Sequence, residues 1–219
     1  MLKKYKTFGF TVIICVIIYM CSNKVKTKLE GNYLTITVKT AFRTHNTRVA
    51  QIVDTWFQLA PENIYFITDA FDPVLQEKVK GNLINTTCGY GYDFASVGCK
   101  LNQELHIMLK KNSKWSCHFD DDNYVNVPIL KQILYNFNPD IPYYLGRTAT
   151  HKPTVRNGTK LQRMFWFATG GAGFCISNAA LQKLKPSILK DELYEDYAKH
   201  DNMPDDMAVG YMMGKISYI

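Results

Sequence analysis

Between residues 34 and 145 the hydrophobic period of the chain switches repeatedly, and that alternation constrains the fold more than any other feature. Segment 34–39 (LTITVK) is β-branched and reads as a strand. Residues 47–59 then carry Val49, Ile52, Val53, Trp56 and Phe57 at helical spacing. Segment 63–68 (NIYFIT) is a second strand closed by Asp69, 73–80 a short helix, and 83–86 a third strand. In 97–111, Leu101, Leu105, Met108 and Leu109 share one face, with lysines at the C-terminal end. Segment 115–119 is a short buried strand halted by three aspartates; 128–137 is a helix with Pro128 in its first turn; 143–145 is a strand. Strands alternating with helices predict βαβ units, hence an α/β fold on a mainly parallel sheet flanked by helices. No internal repeat or second domain boundary interrupts the pattern. In open sheets of this kind ligands sit beyond the carboxyl ends of strands. The segments to read for chemistry are therefore 40–48, Asp69, 120–122 and 146–147.

The formal charge of +7 points at first toward nucleic acid, but its distribution does not. Six lysines precede the first acidic residue, Glu30, leaving 20 basic against 19 acidic residues in the rest of the chain. The excess flanks an apolar run, 8–21 (FGFTVIICVIIYMC), so a polycationic nucleic-acid binder is excluded. Two readings of that run are open. One is a cleaved signal peptide; the other is a signal anchor with cytosolic Lys3, Lys4 and Lys6. Small residues at cleavage offsets are absent, which favours the anchor, and Lys24 can snorkel from a short span. Both readings send the remainder into the secretory pathway.

Cys15 and Cys21 belong to that run. Cys88, Cys99, Cys117 and Cys175 remain, an even number that suits an oxidising compartment and allows three connectivities. Close C-x2-C pairs, which a zinc site needs, are absent. Two sequons, at Asn85 and Asn157, match the glycan-acceptor pattern used in such a compartment, a pattern short enough to arise by chance.

Three motifs carry chemistry. In HFDDDNYVN (118–126), three carboxylates follow an apolar strand. A free triple Asp is a solvated turn, but here apolar structure stands on both sides, so the carboxylates fall at a strand tip. A divalent ion relieves their repulsion, and hard Mn²⁺ or Mg²⁺ shares oxygen ligands with phosphates. In FWFATGGAGFCIS (165–177), the glycines permit close backbone approach, and neither a P-loop nor a dinucleotide fingerprint is present. In PDDMAVGY (204–211), Asp205 and Asp206 stand at a helix start, as cap and dipole partner or as a general base.

Taken in order, these three motifs resemble the Fringe family of β-1,3-N-acetylglucosaminyltransferases. The similarity continues upstream through Val38-Lys39-Thr40, His45, Arg48 and Asp54-Thr55-Trp56, and covers roughly residues 34–214. The resemblance implies a GT-A fold and a single-pass type II Golgi protein. Its expected layout is a cytoplasmic tail (1–7), a signal-anchor helix (8–21), a stem (22–32) and a lumenal glycosyltransferase domain (33–219). It implies Mn²⁺, the donor UDP-GlcNAc, and as acceptor an O-linked fucose on epidermal-growth-factor-like repeats, of the kind carried by Notch receptors. By position, Asp122 matches the metal ligand, Asp121 and Arg48 donor contacts, and Asp206 the catalytic base. Cys88 with Cys99, and Cys117 with Cys175, match two family disulfides.

The same resemblance implies a further His and a third disulfide some tens of residues beyond the PDD helix. None of His45, His106, His118, His151 and His200 occupies that position, so the expectation is a C-terminally short chain with a weakened metal site. The alternatives to the leading reading are another inverting β-1,3-glycosyltransferase, such as the core-1 galactosyltransferase type, and an inactive glycan- or protein-binding relic.

Overall fold

The computed structural model describes residues 32–156 and 163–216. The anchor and stem expected before residue 32, and the sequon at Asn157, lie outside the described residues. Among the described residues no helix is long and apolar enough to cross a membrane.

A six-stranded sheet runs in the order β3-β2-β1-β4-β8-β5. Its strands are β1 (Leu34–Lys39), β2 (Ile64–Thr68), β3 (Leu83–Asn85), β4 (Trp115–Asp120), β5 (Tyr144–Gly146) and β8 (Phe174–Ser177). The pairs β1–β2, β1–β4 and β2–β3 are parallel. Strand β8 runs antiparallel to both its neighbours, β4 and β5. A separate antiparallel ribbon pairs β6 (Thr154–Arg156) with β7 (Arg163–Phe165).

Strand β1 alternates between two faces, as its pleat requires. Leu34, Ile36 and Val38 enter one apolar layer with Val53, Trp56 and Phe57 and with Val127 and Leu134 of α4 (Val127–Leu134). On the opposite face lie α3 (Phe94–Lys111), α5 (Asn178–Ile188) and α6 (Asp205–Ile216), whose Leu101, Leu105, Leu181, Leu184, Val209 and Met212 form a second layer with Phe174 and Ile176 of β8. The result is helix–sheet–helix, as the alternation of periods predicts.

Several elements depart from expectation. The helix anticipated at 47–59 is divided into a π-turn (His45–Val49), α1 (Ala50–Asp54) and a 3-10 turn (Trp56–Leu59). The Thr55 hydroxyl donates to the Gln51 carbonyl (2.6 Å), competing with the backbone ladder at the break. Its apolar face survives: Val49, Ile52, Val53, Trp56 and Phe57 are all buried. Helix α2 (Pro73–Lys78) and α4 form where anticipated, with Asp72 and Asn126 as their caps. Helix α3 starts three residues early, because the Asp93 carboxylate accepts from the Ser96 N–H (2.9 Å).

A π-helical stretch, Leu193–His200, packs against α3. Gly98 permits the approach, since a Cβ there would collide with that of Ala198. The disulfides Cys88–Cys99 and Cys117–Cys175 are both present. The second joins directly opposed residues of β4 and β8. The first, with a sequence separation of 11, ties the loop after β3 to α3. Replacing both Cys88 and Cys99 by Ser is expected to lower stability by about 2–3 kcal/mol in urea titration, from the loop-closure entropy released.

Candidate active site

A cleft of about 270 Å³ opens beyond the carboxyl ends of β1 and β4, where an open sheet places ligands. Strand β1 delivers Lys39, Thr40 and the following Arg43, Thr44 and Arg48; β4 delivers Asp120, Asp121 and Asp122. Gly170 and Gly171 of the turn before β8, and Asp205 and Asp206 at the start of α6, form one flank. Gly91 and Tyr92, from the loop after β3, form the other, with Lys100 of α3 in the wall. All four expected site residues, Arg48, Asp121, Asp122 and Asp206, line this one cleft. Asp69 and residues 146–147 do not: Asp69 instead accepts from Lys100 Nζ (2.5 Å) and from the Phe42 N–H (2.9 Å).

The three aspartates have different environments. Asp120 faces Lys39 at 3.3 Å. Asp121 is buried and saturated: the hydroxyls of Thr40 and Thr44 reach Oδ2 (2.8 and 2.6 Å), and Arg48 Nη1 donates to Oδ1 (3.0 Å). It therefore holds the Arg48 guanidinium in the cleft wall. Asp122 is the open one, its side chain 53% exposed, with Asn123 Nδ2 at 3.3 Å and Arg48 at 3.6 Å.

Asp205 and Asp206 are adjacent in sequence but held apart in role. Asp205 Oδ2 accepts from Lys39 Nζ at 2.5 Å. Burial works against its ionisation, yet the Lys39 ammonium outweighs burial and holds the carboxyl below the usual range. Burial likewise opposes the charge on Lys39, and Asp205 with Asp120 more than restores it, raising that group above the ordinary lysine value. Asp206 makes no ion pair of its own, and Lys39 acts on it only as the weakest of several influences. Burial pushes its carboxyl up, against the hydrogen bonds it accepts from the Gly170 and Met207 N–H groups (3.1 and 2.7 Å). A partly buried carboxylate with a raised pKa, lining a cleft, has the character of a general base.

Beneath this layer runs a polar seam. Glu104 of α3 and His118 of β4 are fully buried, with His118 Nδ1 2.8 Å from Glu104 Oε2. Thr37 donates to the same Glu104 oxygen at 2.5 Å. Gly173 closes the turn above the seam with φ +75; a Cβ there would lie 2.8 Å from the His118 carbonyl and collide with the Phe119 ring.

Lys39, Lys100 and Tyr92 also line the cleft, although none of the three motifs contains them. Lys39 had a signal: a lone cation ending a strand that is otherwise β-branched and buried. Among the described residues no group of three or more His, Cys, Asp and Glu side chains is arranged to hold a metal ion. Of the described histidines, His45, His106, His118 and His200 lie against Asp72, Asp191, Glu104 and Asp201 respectively.

A family model described as Fringe-like matches residues 29–218. The Fringe glycosyltransferase of Drosophila melanogaster is 42% identical over 184 residues, covering 81% of this chain and 44% of that protein. The β-1,3-N-acetylglucosaminyltransferase lunatic fringe of Danio rerio is 34% identical over 193 residues (86% and 51%). The human manic fringe is 34% identical over 192 residues (85% and 59%). The chain thus spans about half the length of the curated relatives it matches.

Proposed function

This chain belongs to the Fringe family, and from that premise we propose that it transfers GlcNAc from UDP-GlcNAc, with inversion and in β-1,3 linkage, to O-linked fucose on epidermal-growth-factor-like repeats. Repeat-bearing receptors of the Notch type are the acceptors, and the Golgi lumen is the compartment, reached as a single-pass type II membrane protein. One observation carries the reading most of the way. Of two adjacent carboxylates, one is neutralised by Lys39 and the other, Asp206, lines the same cleft as Arg48 and Asp122 with its pKa raised.

The chemistry is displacement at the anomeric carbon by an acceptor hydroxyl. Asp206 takes the hydroxyl proton as the new bond forms. Arg48, held by Asp121, meets the negative charge that develops on the departing diphosphate. The main-chain N–H of Gly170 orients Asp206 for the approaching hydroxyl. No covalent enzyme intermediate is required.

The donor set suits Mn²⁺. Asp122 offers carboxylate oxygen, the ligand type that hard divalent ions prefer, from an exposed position in the cleft. Asp122 would hold the ion for the protein, and because no group of three His, Cys, Asp or Glu ligands is assembled among the described residues, the remaining ligands would have to come from the donor diphosphate and water. When bound, the ion supplies further positive charge to the leaving group.

Titration of UDP with Mn²⁺, and transfer assays with UDP-GlcNAc and UDP-Gal on an O-fucosylated repeat, test the reading. Asp122→Ala is expected to lower UDP–Mn²⁺ affinity by at least about 10–100-fold, the loss typical when even an outer-sphere partner is removed. Preference for UDP-Gal would replace the donor assignment with the core-1 type, and a chain that binds UDP without transferring sugar would be a binding relic.

A further inference from the structure

We propose that Tyr92, backed by Arg43, is the platform on which the donor's nucleobase stacks. The inference rests on the nucleotide-sugar reading above and names residues that the family comparison does not assign. Sheet order defines the two ends of the cleft. Asp206 and Gly170, beside β8, lie at the end where transfer occurs. Tyr92 comes from the loop after β3, while Arg48 follows β1 and Asp122 follows β4, so in sheet order the two donor contacts come between Tyr92 and the β8 flank. A nucleoside diphosphate held by Asp122 and Arg48, with its sugar toward Asp206, therefore extends its base toward Tyr92.

Tyr92 is suited to a planar heterocycle and of little use to a phosphate. The residue is 71% exposed while lining the cleft. The Arg43 guanidinium lies over one ring face, 3.5 Å from the centroid. A base arriving on the exposed side of Tyr92 would make a layered stack of guanidinium, phenol and nucleobase. An exposed aromatic on a free loop would lose entropy on binding, but this loop is fixed in advance. The Cys88–Cys99 disulfide anchors it to α3. The Asp93 carboxylate, next to Tyr92, accepts from both the N–H and the hydroxyl of Ser96 (2.9 and 2.7 Å). At its start the Thr86 hydroxyl donates to the Thr68 carbonyl (2.8 Å). Such pre-organisation makes the ring a stationary surface.

Calorimetric titration of the full chain with UDP and with inorganic pyrophosphate, each with Mn²⁺, tests the assignment. Tyr92→Ala is expected to weaken UDP binding about tenfold or more, within the range for loss of one base–aromatic stack, and to leave pyrophosphate binding unchanged. Tyr92→Phe, which keeps the ring, is expected to hold UDP within about twofold of wild type. UDP binding equal in Tyr92→Ala and wild type, or equal losses for UDP and pyrophosphate, would overturn the platform while leaving the donor reading intact. Wild-type protein that binds no UDP would overturn both.

Discussion

Asp206→Asn is expected to abolish sugar transfer while UDP–Mn²⁺ affinity stays within about twofold of wild type. Asp206 lines the cleft on the β8 flank, and no cation neutralises it as Lys39 neutralises Asp205. Loss of a positioned base typically costs about 10²–10⁴-fold in rate, and a group that acts only in the transition state leaves ground-state binding alone. The Gly170 and Met207 N–H groups meet different oxygens of Asp206, so the amide keeps an acceptor for one of them, and the other turns to solvent at this partly exposed site. Transfer rate and UDP calorimetry on one preparation decide the matter; equal loss of binding and transfer would make Asp206 a donor ligand. The pH profile adds a sign. Asp206 works as the carboxylate, and burial raises its pKa above the ordinary 3.8, so transfer should decline on the acid side sooner than an unperturbed aspartate would dictate.

Lys39→Met is expected to cost about 3–5 kcal/mol of stability, the usual cost of removing one partner from a buried ion pair. The Lys39 and Asp205 side chains retain only 11% and 14% exposure, and Asp120 is the second carboxylate left uncompensated. The double variant Lys39→Met/Asp205→Asn should recover part of the loss, since the neutral amide no longer needs a cation. Urea unfolding measures both; a single-variant loss under about 1 kcal/mol would show that solvent screens the pair. The pH window follows from the shifts. Asp205 is depressed below 3.8, so its contribution is complete above that value and lost as pH falls through the folded pKa. Lys39 is raised above 10.5, so its contribution is complete below that value and lost as pH rises through the folded one. Between the two the pair's contribution is flat.

The sheet was legible where local signals are strong. Strands β1 to β4 announce themselves by β-branched and aromatic runs, and α4 by its early proline. Strands β6 and β7, three residues each, are too short to carry a period. Helix α5 holds Pro186 inside its last turns, where a sequence pattern reads a break. The reversed direction of β8 has no local signature at all, because orientation is set by which edge a strand meets and not by its own residues. The site divides the same way. Arg48, Asp121, Asp122 and Asp206 were legible because they sit in motifs. Lys39 was not, because what gives it meaning is Asp205, 166 positions away. Tyr92 was hidden in a glycine-rich loop whose partner, Arg43, comes from a different strand's end.

The position of β8 also dictates an order of assembly. Strand β4 can pair with β1 as soon as it is made, yet its other edge belongs to residues 174–177. Until those emerge, that edge presents open N–H and C=O groups, a template for pairing with any neighbouring chain. Strand β5 is made earlier but cannot cover it, since in the finished sheet it reaches β4 only through β8. Cys117 meanwhile waits for a partner 58 residues downstream, roughly 3–12 s at ordinary rates of synthesis. During that interval Cys117 can pair wrongly with Cys88 or Cys99, which are already made. A nascent chain of this topology therefore depends on its surroundings to shield an edge and to reshuffle mispaired thiols, so its yield should track the isomerase and holdase capacity of the compartment more closely than its final stability.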